Sequence, residues 1–268
     1  MIDLQLEDNF TDVTSKALRG LALTPGEAAA LAGLPGTSVT EFLNGAFSAE
    51  TAARLASALG LHPASLSGHP TYQPAPQSSP SIQRVKLPFS GDFVNAWRLS
   101  DGETAIWFDA GDTPDDCLKE LTKLGEPRPA VVFITHGHRD HVGGIAALVG
   151  SGFTTHGWDI AGATPILPGA IIRCGALTIT ACDLSGHGQP ALGYHVAGLD
   201  VPVLVTGDAI FAGSMGGCPN PTIYQQALRT VREVIGSLPE STVLLPGHGP
   251  ATTLGEELRH NPFLASIG

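Results

Sequence analysis

A short stretch of the chain, Thr135 to Gly144, is rich in side chains that can bind a metal ion. It contains His136 and His138 two residues apart, followed by Asp140 and His141. Residues two apart on a strand, and on the loop that follows it, leave the same face, so the first two imidazoles can bind one ion together. Asp140 and His141 come where the chain turns into a helix and can supply an oxygen and an imidazole to a second ion. This spacing predicts a metal centre.

Three polar residues later in the chain stand in similar surroundings. His187, Asp208 and His248 each follow an apolar run and adjoin a glycine, which is typical of a ligand on a loop at a sheet edge. Taken singly, each has an ordinary alternative: a capping histidine, a turn aspartate and another loop histidine. Together with the HxHxDH stretch they predict seven metal ligands.

Strands and helices in alternation must position these residues. Two alternating runs, VKLPFSGDFVNAWRL (85–99) and TAIWFDAG (104–111), predict a hairpin joined near residues 100–102. The run AVVFIT, directly before the first histidines, predicts a short buried strand. Further strand-like runs are AIIRC, LTITACDL, ALGYHV, VPVLVT and STVLLP, with helical patterns at 117–124, 142–149 and 222–235. The order suggests two sheets covered by outer helices, although the pattern alone does not separate this from other α/β arrangements.

Asp109 in WFDAG, HGHRDH at 136–141, His187, Asp208 and His248 together resemble, in order, the motif set of the metallo-β-lactamase superfamily. The resemblance covers roughly Val85 to Gly268. It implies an α/β fold, the αββα sandwich, with the site at one edge of the sheets. It also implies metal ligands: His136, His138 and His187 on one ion, Asp140, His141 and His248 on a second, and Asp208 bridging both. Asp109 would support the ligands without binding a metal itself.

The resemblance implies a hydrolase with two divalent metal ions, for which zinc is the first choice and iron or manganese are alternatives. Two ions about 3.5 to 4 Å apart can hold a shared hydroxide that attacks an ester or thioester carbonyl. Asp140 is the candidate catalytic residue, which orients the water and carries a proton to the leaving group. The substrate-binding residues are left unassigned.

Two segments, TGDAIFAGSMGG and GHGPATTLGEELRHNPFL, look like the branch that includes hydroxyacylglutathione hydrolase (glyoxalase II), which implies thioester hydrolysis. The chain departs from that branch in two ways. Only 20 residues follow His248, too few for the helical arm that holds glutathione. Gly217 stands where that enzyme has a basic residue, so this pocket should bind an anionic peptide thiol poorly.

Two other functions stay open on the sequence. The persulfide dioxygenases, a related branch, use one iron held by two histidines and one aspartate, and ligand types alone do not exclude that chemistry. The second alternative is a DNA-binding regulator that uses the metal domain as a sensor.

The composition limits the partners. The chain has 268 residues, 43% of them hydrophobic and 15% charged, which is typical of a globular protein. A net charge of −11, with only 14 Lys and Arg, argues against nucleic acid and anionic membranes and favours a small-molecule substrate. The acidic start and the lack of a long apolar run predict a cytoplasmic protein with reduced cysteines.

The chain divides into three predicted parts: a helical domain at 1–68, a Pro- and Ser-rich linker at 69–83 and the hydrolase domain at 84–268. In the first part, Thr24 with Pro25 and Glu27 predicts a capped helix, residues 37–43 a short helix, and Ser48 the cap of another. This pattern resembles a Cro/repressor-type helix-turn-helix domain over most of residues 10–67.

That second resemblance would imply DNA binding through Thr37, Ser38, Thr40 and Glu41. Residues 1–68, however, hold seven acidic and three basic residues, a net of −4, and the candidate recognition helix has no basic residue. Such a surface repels the phosphate backbone. The favoured interpretation is therefore a helical module for domain packing or dimerisation, which leaves a homodimer open.

Overall fold

The computed structural model describes residues 4–129 and 131–265. This part of the chain begins with five helices: α1 (Phe10–Leu21), α2 (Pro25–Ala32), α3 (Gly36–Leu43), α4 (Ala49–Leu59) and α5 (Pro63–Gly68). Thr24 accepts a hydrogen bond from the backbone N–H of Glu27, whose carboxylate accepts one from Thr24 in return. Ser48 likewise accepts from the backbone N–H of Thr51. These caps satisfy N–H groups that a helix leaves unpaired at its start, and they confirm the two predicted helix starts.

The first sheet combines antiparallel and parallel strands. Its first three strands pair antiparallel, and the remaining pairs are parallel. In spatial order they are β1 (Ile82–Phe89), β2 (Asp92–Ser100), β3 (Ala105–Phe108), β4 (Val131–Phe133), β5 (Thr154–Gly157) and β6 (Thr164–Pro165).

The run 85–99, predicted as one strand, is itself a hairpin of β1 and β2. The chain reverses at Ser90 and Gly91, whose φ angles of 46° and 88° lie in the left-handed region. Two consecutive residues of this kind make a tight turn that matches the twist of the flanking strands. The alternation of apolar residues continues through the turn, which is why the sequence pattern did not reveal it. The hairpin predicted near residues 100–102 joins β2 to β3 and is confirmed.

The second sheet is antiparallel except for one central pair. β10 (Val203–Gly207) and β11 (Val243–Pro246) run parallel, because helix α9 (Pro221–Ile235) connects them, and every other pair is antiparallel. In spatial order the strands are β12 (Thr252–Thr253), β11 (Val243–Pro246), β10 (Val203–Gly207), β9 (Leu192–Ala197), β8 (Leu177–Asp183) and β7 (Ile171–Cys174).

The two sheets pack face to face through a buried apolar layer that includes Phe108, Phe133 and Tyr194. Helices cover the outer faces: α6 and α8 pack on the first sheet and α9 on the second. The remaining helices of this part are α6 (Pro114–Thr122), α7 (Arg139–Val142), α8 (Ile145–Gly150), α9 (Pro221–Ile235) and α10 (Leu254–His260). These four layers confirm the predicted αββα sandwich, preceded by helices.

The N-terminal helices share a hydrophobic core with the second sheet and its covering helix. Val13 and Ala17 of α1 belong to the same buried cluster as Tyr224 of α9 and Phe263. Gly20 lies so close to Tyr224 that a Cβ atom there would be 2.6 Å from the ring. The backbone N–H of His62 donates to the carbonyl of Pro262 at 2.8 Å. Residues 4–68 therefore lie directly against the sandwich.

The first residues of the predicted linker are also fixed by contacts. The ring of His69 is buried, with Nε2 3.1 Å from the carbonyl oxygen of Gly213. The hydroxyl of Tyr72 donates to the carboxylate of Glu257 at 2.8 Å. Residues 73–79 carry no regular secondary structure, whereas β1 already begins at Ile82. No helix among the described residues has the length and apolar character needed to cross a membrane.

Candidate metal centre

The HxHxDH stretch lies beyond the C-terminal end of β4, an inner strand of the first sheet, and runs into helix α7. His136 and His138 lie on the loop after β4, and α7 begins directly after His138. The backbone N–H groups of His141 and Val142 both donate to the carbonyl of His138, which turns the chain into the helix. The helix places Asp140 and His141 beside the loop that carries the first two histidines.

Four residues form a first donor group: His136, His138, His187 and Asp208. In this group one ligand atom from each side chain lies within 4.8 Å of the others. Nε2 of His136 is 3.0 Å from Nδ1 of His138. Oδ2 of Asp208 lies 3.9 Å from Nε2 of His136 and 3.5 Å from Nε2 of His187. The structure thus brings residues from three distant parts of the sequence to one point.

Asp140, His141 and His248 form a second donor group. Oδ2 of Asp140 is 3.1 Å from Nε2 of His248 and 3.6 Å from Nε2 of His141. Asp208 also faces this group, since its Oδ1 is 3.4 Å from Nε2 of His141 and its Oδ2 is 3.7 Å from Nε2 of His248. The Asp208 carboxylate therefore lies between the two groups, where a bridging ligand is expected.

Two of the buried ligand atoms have no hydrogen-bond partner within the described structure. They are Nε2 of His141 and Oδ1 of Asp208, which lie 3.4 Å apart. An unpaired buried polar atom costs about 1–3 kcal/mol, so such atoms normally mark a missing partner. Imidazole and carboxylate together suit zinc, iron or manganese. The residues present therefore fit divalent metal ions.

Asp109 and the backbone orient the histidines. Nδ1 of His141 is 2.8 Å from a carboxylate oxygen of Asp109, which also accepts from Thr135. Nδ1 of His187 is 2.9 Å from the carbonyl of Gly217, and Nδ1 of His248 is 3.2 Å from that of Phe93. An Nδ1–H donated in this way leaves Nε2 free to bind a metal ion. Asp109 thus lies where the predicted supporting role requires it.

Burial and neighbouring groups favour the metal-binding forms of His136 and Asp208. For His141 and His248, burial lowers the pKa but the neighbouring carboxylates raise it above the usual value. Burial lowers the pKa of His136 well below its usual value, which keeps the imidazole neutral. Burial alone would raise the pKa of Asp208, but the surrounding imidazoles, His141 first, hold it well below the ordinary value. A neutral imidazole and an ionised carboxylate are the forms that bind metals.

Glycines allow the loops of the site to approach each other. A Cβ atom on Gly247 would lie 2.2 Å from Oδ1 of Asp208, and one on Gly216 would lie 2.6 Å from Cβ of His187. Contacts this short exclude any side chain at either position. Both glycines lie within the sequence segments that carry the resemblance, and the close approach gives the physical reason for a glycine at each position.

The sequence interpretation did not find the residues that hold the His248 loop. Nδ2 of Asn95 donates to the carbonyls of Pro246 and Gly249, each at 2.9 Å, and Nε1 of Trp97 donates to Pro246 at 2.9 Å. A buried asparagine and tryptophan in an apolar strand are the signal that would have pointed to this contact, because buried polar atoms need partners.

Arg139 and the other histidines lie outside the ligand set. The guanidinium of Arg139 pairs with Asp112, with Nε 2.8 Å from Oδ1. His156 stacks on Phe133 in the first sheet, and His260 stacks on Tyr72. These contacts agree with the ordinary roles expected for such side chains.

Comparisons with known proteins show what this chain is similar to. Residues 90–170 match a family model described as the metallo-beta-lactamase superfamily. The probable metallo-hydrolase YqgX of Bacillus subtilis is 26% identical over 206 residues, 67% of this chain and 96% of that protein. The hydroxyacylglutathione hydrolase GloC of Haemophilus influenzae is 25% identical over 194 residues, 62% of this chain and 90% of that protein.

The solved structures each match about two thirds of the chain. The crystal structure of BLEG-1 B3 metallo-beta-lactamase has a TM-score of 0.57 and 25% identity, and the match covers 68% of this chain and 99% of that one. The structure of TTHA1623 in a di-iron-bound form has a TM-score of 0.52 and 27% identity, covering 68% and 100%. The family model, the relatives and the two-sheet fold together support the placement of this chain in the metallo-β-lactamase superfamily.

Proposed function

We propose that the chain is a binuclear metal-dependent hydrolase that cleaves thioesters or esters of small molecules. The observation that carries the proposal is the presence of two donor groups with one carboxylate, that of Asp208, between them. Two divalent cations in these groups would lower the pKa of water and polarise the carbonyl oxygen of the substrate. Zinc is the proposed metal, and the di-iron form of the similar TTHA1623 keeps iron as the alternative.

Asp140 is the proposed proton carrier. Burial alone would raise its pKa, but the hydrogen bond with His248 and the nearby His141 hold the pKa below its usual value. The carboxylate is therefore anionic and can accept a proton from the attacking water. As the water oxygen bonds to the carbonyl carbon and the C–S or C–O bond breaks, Asp140 delivers that proton to the leaving sulfur or oxygen.

The thioester assignment rests on similarity. GloC is named as a hydroxyacylglutathione hydrolase, and the segments around Asp208 and His248 resemble that branch. Of the two alternatives, a single-iron oxygenase needs only three protein ligands, whereas this chain gathers seven in two groups. A DNA-binding regulator is disfavoured because Thr37, Thr40 and Glu41 of α3 present no positive charge to the phosphate backbone.

The proposal predicts that His138→Ala removes one metal ion and most of the turnover. The purified protein should contain about two metal equivalents and hydrolyse at least one substrate in a panel of thioesters, lactones and phosphodiesters. In the variant, metal analysis should show about one equivalent, and kcat/KM should fall by more than about a hundredfold.

His260→Ala is the matched control, because this histidine is exposed and stacks on Tyr72 away from the donor groups. It should keep both the metal content and the activity. Unchanged activity in His138→Ala would refute the ligand assignment, and oxygen uptake with a persulfide substrate would refute hydrolysis as the main reaction.

A further inference from the structure

Helix α1 reaches the metal centre at Gly217. A Cβ atom placed on Gly217 would lie 3.4 Å from Nη1 of Arg19 and 3.5 Å from Cγ of Lys16. The carbonyl of the same glycine contacts Nδ1 of His187 in the first donor group. Only one glycine and one imidazole therefore separate the Arg19 guanidinium from the position where the first metal ion would bind.

Lys16, one turn before Arg19 on α1, lies toward the second donor group. Its ammonium is 4.9 Å from the centre of the Phe211 ring, and that ring lies 6.0 Å from the ring of His248. Lys16 also forms an ion pair with Asp8, and both side chains are largely buried. Because the Asp8 carboxylate neutralises the Lys16 ammonium, Lys16 packs beside the site but adds little net positive charge there.

Arg19 differs from Lys16 in having no such partner. Its side chain is exposed, and among the described residues no carboxylate pairs with the guanidinium and no acceptor binds it. The acidic groups Asp8 and Asp12 of the same segment are engaged by Lys16 and by the backbone N–H of Asn9. A guanidinium with free N–H groups beside a metal centre can bind a carboxylate through two parallel hydrogen bonds.

The position of α1 is fixed well enough for such a role. Val13 and Ala17 are fully buried in the core that α1 shares with α9, and Gly20 lies against the ring of Tyr224. Arg19 precedes Gly20 directly, so the packing that anchors the helix also fixes the start of the arginine side chain. Binding groups act best when the scaffold holds them in place before the ligand arrives.

We propose that Arg19, carried by the N-terminal helices, binds the anionic group of the substrate at the entrance of the metal centre. The proposal rests on the proposed hydrolase function and narrows its substrate class to acyl thioesters or esters with a carboxylate. The N-terminal helices are then a wall of the substrate site, in addition to being a packing module.

The test compares a probe with a carboxylate and a neutral probe of the same size. The probes are the S-benzyl thioethers of N-(3-mercaptopropionyl)glycine and of its glycinamide, which contain no hydrolysable thioester. Calorimetry on the full metal-loaded chain measures the dissociation constants, so the readout does not depend on turnover. We expect Arg19→Ala to raise the dissociation constant of the carboxylate probe by about ten- to a hundredfold and to leave that of the glycinamide probe unchanged.

Three further variants separate a specific contact from a general effect of charge. Arg173→Ala makes the same charge change on the edge strand β7 and should not alter binding. Arg19→Lys keeps the charge but loses the planar fork, so its affinity should fall between wild type and Arg19→Ala. Arg19→Ala with Gly217→Arg returns a guanidinium to the same place and should recover most of the affinity.

The outcomes distinguish this proposal from the proposed function. Equal affinity of wild type and Arg19→Ala for the carboxylate probe, an equal loss for both probes, or no binding to wild type would overturn the role of Arg19. If the carboxylate probe binds as expected but the metal-loaded chain hydrolyses neither the acetyl thioester of the same thiol nor any other ester, the hydrolase proposal fails and the anion site stands.

Discussion

Asp109 is the residue on which the geometry of the second donor group depends most. Its backbone has a φ of 63°, in the left-handed region that aspartate and asparagine tolerate better than most residues. In that conformation the carboxylate accepts from both Thr135 and Nδ1 of His141. The Asp109 side chain therefore fixes both the orientation and the tautomer of the His141 ring.

We predict that Asp109→Asn weakens metal binding without unfolding the chain. Asparagine tolerates the same backbone conformation. Its amide has only one acceptor oxygen, so it cannot accept hydrogen bonds from both Thr135 and His141 as the two carboxylate oxygens do. Loss of such a supporting contact typically costs about 10- to 100-fold in metal affinity. Competition with a chromophoric chelator should show the loss at one of the two sites. Asp112→Asn, which removes the carboxylate that pairs with Arg139, should bind both ions normally, and equal affinities in the two variants would contradict the role of Asp109.

At the scale of elements, the predicted ligands lie on loops after strand ends and on the short helix α7, and other elements hold these segments in place. Helix α10 shows this clearly. The carboxylate of Glu257 accepts from the hydroxyl of Tyr72, the backbone N–H of Gly213 and Nδ2 of Asn261, at 2.8–2.9 Å. Gly213 belongs to the loop after Asp208, so a helix near the end of the described chain fixes the loop beside the metal centre.

Glu257 predicts a dependence of stability on pH. Burial raises its pKa from 4.5 to about 7. Between these values the folded state holds a proton that the unfolded state releases, so the contribution of Glu257 to stability is fully present below pH 4.5 and is lost as the pH rises through about 7. As the pH rises from below 4.5 to above 7, this one group lowers the free energy of unfolding by about 3 kcal/mol.

Glu257→Gln removes this titration and keeps the shape of the protonated side chain. The free energy of unfolding of the variant relative to wild type should therefore increase between pH 5 and 8, by up to about 3 kcal/mol. Urea denaturation at several pH values measures the difference. Glu240→Gln, on an exposed surface, should show no such trend, and a difference for Glu257→Gln that stays constant with pH would disprove the prediction.

Local patterns predicted most of the helices and strands but not every turn between them. The strand AVVFIT and the helix at 222–235 were predictable because a buried strand and an amphipathic helix differ in period and length. The Ser90–Gly91 turn was not, since apolar alternation runs through it. No feature within α1 indicates that Arg19 lies at Gly217, because about 200 residues separate them and only packing brings them together.

At the scale of the whole molecule, the N-terminal helices and the sandwich share one core. The boundaries 1–68, 69–83 and 84–268 stay a prediction, as do DNA binding and dimerisation. The buried contact of Gly20 with Tyr224 nonetheless means that folding of the first helix and of α9 should be coupled.

Gly20→Ala tests this coupling. A methyl group there meets the Tyr224 ring at 2.6 Å, and overpacking of this kind costs about 1–3 kcal/mol. Gly26→Ala is the matched control, because it also lies in a helix but has nothing within 4 Å of the added atom. Thermal and urea unfolding should show a loss of stability only for Gly20→Ala. Equal stability of the two variants would mean that α1 is free to move away from α9.

The layer that α1 forms over α9 bears on any attempt to shorten the molecule. A fragment that starts at β1 would retain every predicted metal ligand and still lose the cover of the Tyr224 ring and the Arg19 side chain. Water would then meet an apolar strip along α9, and neighbouring copies would cluster through it. Engineering a minimal catalyst from this scaffold therefore requires either keeping the first helix or substituting polar residues for the apolar ones that α9 would expose.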